Sequence, residues 1–257
     1  MKSPVPPLST TRQPVVHWGQ SVGAATGYAV ARAQADADAP LLVVTQDVQT
    51  AARLDAEIRF FLDDKSLPVL IFPDWETLPY DVFSPLPELV SQRLSTLHRL
   101  QQLQRGIVIV PVATLMQRLL PKSFLAANSL MLSVGERLDL EAFRRQLESA
   151  GYQCVSQVIT HGEFAVRGSL LDLFPMGSEL PYRIDLLDDE IDSMRTFDPE
   201  TQRTTEKIER ISLLPAREFP LDEAGISRFR AAYRERIEGD PQRSLIYQGI
   251  TDGNPPG

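Results

Sequence analysis

The sequence predicts an α/β protein: a parallel-sheet domain covered by helices, followed by an α+β unit built on an antiparallel meander. Three observations predict it. Short, continuously apolar runs at 41–44 (LLVV), 69–72 (VLIF) and 107–110 (IVIV) recur between helix-period segments, as strands buried on both faces do. That alternation stops near Ser129, beyond which one helix precedes a series of strands. Within the series Tyr182, Ile184 and Leu186 alternate with Arg183, Asp185 and Leu187, so the two sets point to opposite faces of a strand.

In chain order, residues 1–14 are rich in Pro, Ser and Thr and read as a flexible tail. From Val15 a glycine-spaced segment leads into an alanine-rich helix. Asp47 is placed to cap the next helix, in which Ala51, Leu54, Ile58 and Phe61 keep a 3.6-residue stripe. The run from Asp74 to Glu88 is rich in Pro and aromatic residues and has no period. Glu88 to Leu103 reads as a helix with Val90, Leu94, Leu97 and Leu100 on one stripe and arginines on the other side. Thr114 is expected to cap a brief helix through Leu120. Asp139 to Ala150 is amphipathic through Leu140, Phe143 and Leu147, and Gly151 suits the left-handed residue that closes a helix. Tyr152 to Thr160 reads as a strand. In the meander, Asp188-Asp189-Glu190 is too charged for a core and forms a turn before the strand Ile191 to Phe197. Further strands run from Arg203 to Leu214. Leu221 to Glu238 is a last helix carrying Ile226, Phe229, Tyr233 and Ile237, after which the chain trails off. Domain boundaries are expected near 125–130 and 212–218.

Two compact units suit 257 residues better than one. A formal net charge of -8 excludes a general DNA-coating role, which needs a basic footprint. The single cysteine, Cys154, leaves no internal disulfide and no cysteine-cluster zinc site. His17, His98 and His161 lack ligand spacing, so no metal is expected. There is no signal-peptide core and no run of membrane-spanning length, and a cytoplasmic setting without a membrane partner is the expectation.

The glycine segment can be compared with the phosphate loop G-x-x-x-x-G-K-[ST], whose backbone amides and lysine hold phosphate. Counting from Gly19, the first glycine and Thr26 match, but Ala24 replaces the second glycine and Ala25 the lysine. Without that ammonium group ATP binding should be weak or absent. No acidic pair follows the apolar run 107–110 to hold magnesium. No catalytic residue and no cofactor are expected.

The longer motifs carry a resemblance. DWETLPYDVFSP (74–85), SQRLSTLHRL (91–100), VPVATLMQRLLP (110–121) and the stretch 161–204 beginning HGEFAVRGSLLDLFP resemble the bacterial transcription-repair coupling factor family, in the amino-terminal part similar to the excision-repair protein UvrB. The resemblance implies a degenerate helicase-like (P-loop-type) α/β domain over 15–128 and an inserted UvrA-binding α+β domain over 129–214. It implies the start of a second α/β part over 215–257. UvrB itself would keep the lysine, so Ala25 favours the coupling factor. Full-length members displace stalled RNA polymerase with an ATP-driven translocase on double-stranded DNA. Those partners, and an intramolecular carboxy-terminal cover, are expected through domains beyond residue 257.

The resemblance further implies that UvrA is recruited through Arg167, Arg183 and position 187, where Leu187 replaces the family's aromatic residue. Arg183 and Leu187 lie four apart on a strand and share a face. An arginine beside an apolar side chain combines bidentate hydrogen bonding with desolvated contact. Arg183 is expected to face water, so its removal should spare the fold. The bland alternative is a solvated face with chance arginines, and for Arg167 a turn residue beside Gly168. The rival function is a nucleotide-dependent, DNA-binding helicase-like enzyme of the UvrB type. Leu170 and Phe174 are expected in the core and Asp172 is expected to tie down a turn. Trp75 and Tyr80, beside Asp74, Glu76 and Asp81, are expected to pack their loop on the α/β domain rather than stack on bases.

Overall fold

A computed structural model describes residues 15–19, 21–77 and 84–253. The tail 1–14, Gln20 of the glycine loop, and Tyr80 and Asp81 lie outside the described residues. The chain divides into two compact units. One comprises the residues up to Asp74 with Thr96–Arg118; the other comprises Trp75–Ser95 and everything from Leu119 onward.

The first unit contains α1 (Ala25–Ala35), β1 (Leu41–Thr45), α2 (Val48–Phe61), β2 (Val69–Ile71), β3 (Ile107–Pro111) and α4 (Val112–Leu115). Its three strands form a parallel sheet in the order β1-β3-β2. Asp47 caps α2 as expected, its carboxylate accepting from the Thr50 amide at 2.7 Å. The α2 stripe of Ala51, Leu54 and Ile58 meets Val30 and Ala31 of α1 and Ile107 and Ile109 of β3 in one core. The two helices pack closely: a β-carbon at Gly27 would fall 2.5 Å from that of Glu57.

Two expectations need correction here. β1 is not buried on both faces: Leu42 and Val44 share one face of the strand and are exposed, whereas β3, in the middle, is buried throughout. Thr114 caps nothing. The helix begins after Pro111, and Thr114 is buried inside it with its hydroxyl donating to Asp74 at 2.8 Å.

The second unit holds α5 (Lys122–Ala127), β4 (Leu130–Ser133), α6 (Leu140–Ser149), β5 (Gln153–Cys154), β6 (Glu163–Arg167), β7 (Leu170–Leu173), β8 (Tyr182–Leu187), β9 (Glu190–Phe197), β10 (Thr204–Ile208), β11 (Arg210–Leu213), α7 (Glu223–Arg236) and α8 (Leu245–Thr251). The meander is the six-stranded sheet β10-β9-β8-β7-β6-β5, antiparallel except for the β5–β6 pair, and β11 pairs with β4 separately. One sheet face packs Leu171, Leu173, Ile184, Leu186, Ile191 and Met194 against Phe143 and Leu147 of α6. Asp139 caps α6 and Gly151, at φ 95°, closes it as expected.

The strand expected over 152–160 shortens to Gln153–Cys154. Tyr152 leaves the sheet because its buried hydroxyl donates to the Leu214 carbonyl at 2.6 Å. Residues 155–160 then fold over the other sheet face, where Val155 and Val158 pack with Ala165, Phe174 and Phe197. Phe174 is therefore buried as expected, but in this smaller cluster. The arginines of the 88–103 helix were expected on a solvent side. The helix is α3 (Pro87–Leu100), and Arg93 is fully buried, bound to Glu218 at 2.6 Å and stacked 4.2 Å from the Trp75 ring, all within the second unit. α8 has no counterpart in the sequence reading; Ser244 caps it and a single buried residue, Tyr247, anchors it.

Candidate functional site

The sheet face opposite the main core is where Arg167, Arg183 and Leu187 fall. In β8 Ile184 and Leu186 are buried while Arg183, Asp185 and Leu187 face outward, which is the predicted alternation. The hairpin turn lies at Asp188-Asp189, with Asp188 at φ 57°, and its tip is solvated as expected. Leu187 is 69% exposed.

Register across the sheet organises the face into transverse rows. Lys207 of β10, Arg195 of β9, Arg183 of β8, Asp172 of β7 and Ala165 of β6 are successive partners. The next row runs Ser193, Asp185, Leu170, Arg167. Arg167 thus stands about 10 Å from Asp185, two strand spacings away. Leu170 belongs to this face and is only half-buried, not in the core.

Arg183 does not simply face water. Its guanidinium makes a bidentate pair with Asp172, Nε to Oδ1 at 2.7 Å and Nη2 to Oδ2 at 2.8 Å. Nη1 donates to the Gln202 carbonyl at 3.3 Å, and the flat face lies 4.9 Å from the Phe197 ring. The hydrogen bond to Asp172 holds the guanidinium in its charged form, above its usual range. Its side chain keeps 22% exposure, whereas that of Asp172 keeps 4%. Asp172 accordingly ties down Arg183 across two strands rather than a turn. A carboxylate in an apolar sheet is tolerated only with such a partner.

Arg167, at the end of β6, is exposed and donates to the Ser156 carbonyl, which anchors it to the segment crossing the face. Gly168 beside it takes φ 62° in the turn to β7. Two participants escape reading by alternation alone. Asp172 is disclosed only by its register with Arg183. Arg195 is hidden by a bulge: Leu187 pairs with Glu190, and counting back without interruption would set Met194 opposite Arg183. An extra residue in β9 shifts the register between Asp185 and Leu186. Met194 turns inward against Ile184, and the exposed Arg195 comes opposite Arg183. The face therefore presents Arg167, Arg195 and Lys207 as exposed cations around the braced Arg183, with Leu187 and Leu170 as apolar neighbours and Asp185 among them.

Among the described residues no cluster of His, Cys, Asp and Glu could hold a metal, and no helix is long and apolar enough to cross a membrane. In the Gly19–Thr26 segment α1 begins at Ala25, Gly23 takes φ 60° and Val22 is exposed.

A family model described as UvrB interaction domain matches residues 130–219, which include the whole outer face. The chain is 51% identical over 238 residues to the transcription-repair-coupling factor of Escherichia coli, covering 93% of this chain and 20% of that protein. It is 54% identical over 215 residues to that of Haemophilus influenzae, covering 82% and 18% respectively. The Bacillus subtilis protein of the same name is 30% identical over 219 residues, again covering 82% and 18%. The chain spans about a fifth of the length of these curated relatives.

Proposed function

Over the region it shares with them the chain belongs with the transcription-repair-coupling factors, and on that premise we propose that it recruits UvrA for transcription-coupled repair. The observation that carries this is the outer sheet face, where exposed Arg167 and Leu187 flank an Arg183 locked by Asp172. A guanidinium held in one geometry loses little entropy on binding, and exposed cations beside an apolar side chain make a steered, specific contact. Because its Nε and Nη2 are already taken by Asp172 and Nη1 donates to the Gln202 carbonyl, Arg183 offers its remaining surface, and Arg167 and Arg195 supply the free charge.

Within this reading the α/β unit is a degenerate helicase-like domain. Ala25 stands where a phosphate-binding lysine would, so this stretch neither binds nucleotide nor catalyses. The whole protein would contact RNA polymerase and DNA, and translocate, through parts outside these residues, in the cytoplasm. The test is a calorimetric titration of this chain with UvrA. Arg167→Ala and Leu187→Ala should each weaken binding about tenfold or more while leaving the melting temperature in place. Wild-type affinity in the double variant refutes the assignment.

A further inference from the structure

The second unit holds a cavity of about 620 Å³ whose walls include Trp75, Pro87, Val90, Met176 and Phe219, with one arginine, Arg217. That volume is in the range of small-molecule sites, and the wall joins those apolar side chains to polar ones such as Gln153, Thr160 and His161. Two carboxylates also line it, but both are engaged. Glu163 Oε2 accepts from the Ile159 and Thr160 amides at 2.7 and 2.9 Å. Glu218 binds Arg93 at 2.6 Å and accepts from the Trp75 indole at 3.1 Å.

Arg217 is the unmatched charge. Among the described residues it has no hydrogen-bond or ion-pair partner, and burial alone pulls its pKa below the ordinary arginine value. A half-buried guanidinium without a counter-charge is costly. Its position is nevertheless built: a β-carbon at Gly151 would fall 2.7 Å from Arg217 Cγ and 2.8 Å from Cδ. Only a glycine leaves room for that stem, so the arginine lies in a seat on the end of α6. His161, which also lines the cavity, is held in place by its Nε2, which donates to the Ser178 carbonyl at 2.8 Å, and by its ring, which packs on Phe174.

We propose that this cavity binds a small organic anion, its carboxylate or phosphate taken by the Arg217 fork and its planar apolar body by the Trp75, Met176 and Phe219 walls. The site is independent of the UvrA reading. Two aryl probes, benzoate and phenyl phosphate, separate the two oxyanion sources, with benzyl alcohol as the uncharged control. Amide spectra of the whole chain during titration should show saturable shifts at Gly151, Gly162 and Ala216 for at least one aryl anion and none for benzyl alcohol. Arg217→Gln should weaken that binding at least tenfold, and Arg217→Lys, which keeps charge without the fork, should lie between. Should Arg217→Gln fail to fold, the wild-type shift map decides. Absence of saturation by both anions, shifts centred elsewhere, equal response to benzyl alcohol, or affinity unchanged in a folded Arg217→Gln overturns the proposal.

Discussion

Replacing Arg183 by alanine should destabilise the fold as well as the partner surface. The change strips both hydrogen bonds, at 2.7 and 2.8 Å, from a carboxylate whose side chain is 4% exposed. Removing one partner of a buried pair costs about 3–5 kcal/mol, chiefly the penalty of the charge left behind. The 22% exposure of Arg183 lets water reach part of the vacated space, which lowers the expected loss to about 2–3 kcal/mol. Loss of the Phe197 contact adds about 0.5 kcal/mol. For an m-value of about 2 kcal/mol/M, the urea midpoint of the second unit should fall by about 1 M or more. Asp172→Ala alone should also destabilise, but the double variant should lose less than the sum, because no orphaned carboxylate remains. Urea unfolding of the four proteins followed by far-UV circular dichroism gives the coupling, expected at about 1.5–3 kcal/mol. A coupling below about 0.5 kcal/mol would show that the pair does not hold the sheet and that Arg183 is free for a partner. The result also governs how binding data are read: Arg183→Ala confounds contact with folding, whereas exposed Arg167 does not.

Arg93→Ala removes the fully buried partner of Glu218 and should cost about 3–5 kcal/mol; a loss under 1 kcal/mol in the same unfolding assay contradicts that estimate. Gly27→Ala places a β-carbon against Glu57 and should cost about 1–3 kcal/mol in the first unit, seen as a lower calorimetric transition; an unchanged transition refutes the close approach. The Asp47, Asp64 and Asp198 carboxyls are held below their ordinary range by hydrogen bonds from Thr50, Ser66 and Thr201 respectively. Their folded-state values lie below the unfolded ones, so their contribution is complete above about pH 4 and is lost as pH falls through the depressed values. The melting temperature should therefore hold between pH 7 and 5 and drop below about 4; a rise on acidification in that lower range would reverse the sign of the argument.

Much of the architecture was legible in the residues because it depends on local period. The apolar runs at 69–72 and 107–110, the α2 stripe with its Asp47 cap, the Gly151 terminus and the alternation through Tyr182–Leu187 follow from side-chain geometry a few residues long. The outward placement of Arg183 and Leu187 was legible for the same reason. Which sheet face is covered by other elements is not local, and so Leu42 and Val44 proved exposed while Val69 and Leu70 of β2, also at an edge, are buried. Short elements carry too few residues to show a period, which left α8 unread.

What the sequence alone determined is which face each residue of Tyr182–Leu187 occupies and which family's motifs the chain carries. The tertiary structure decided what those residues touch. Arg183 is braced because Asp172 lies opposite it in the register, Arg195 joins the face because β9 carries one extra residue, and Arg93 is buried because Glu218 reaches it from 125 positions away. Pairing across strands and ion pairing between distant segments depend on how the chain returns to itself, and no local period encodes that return.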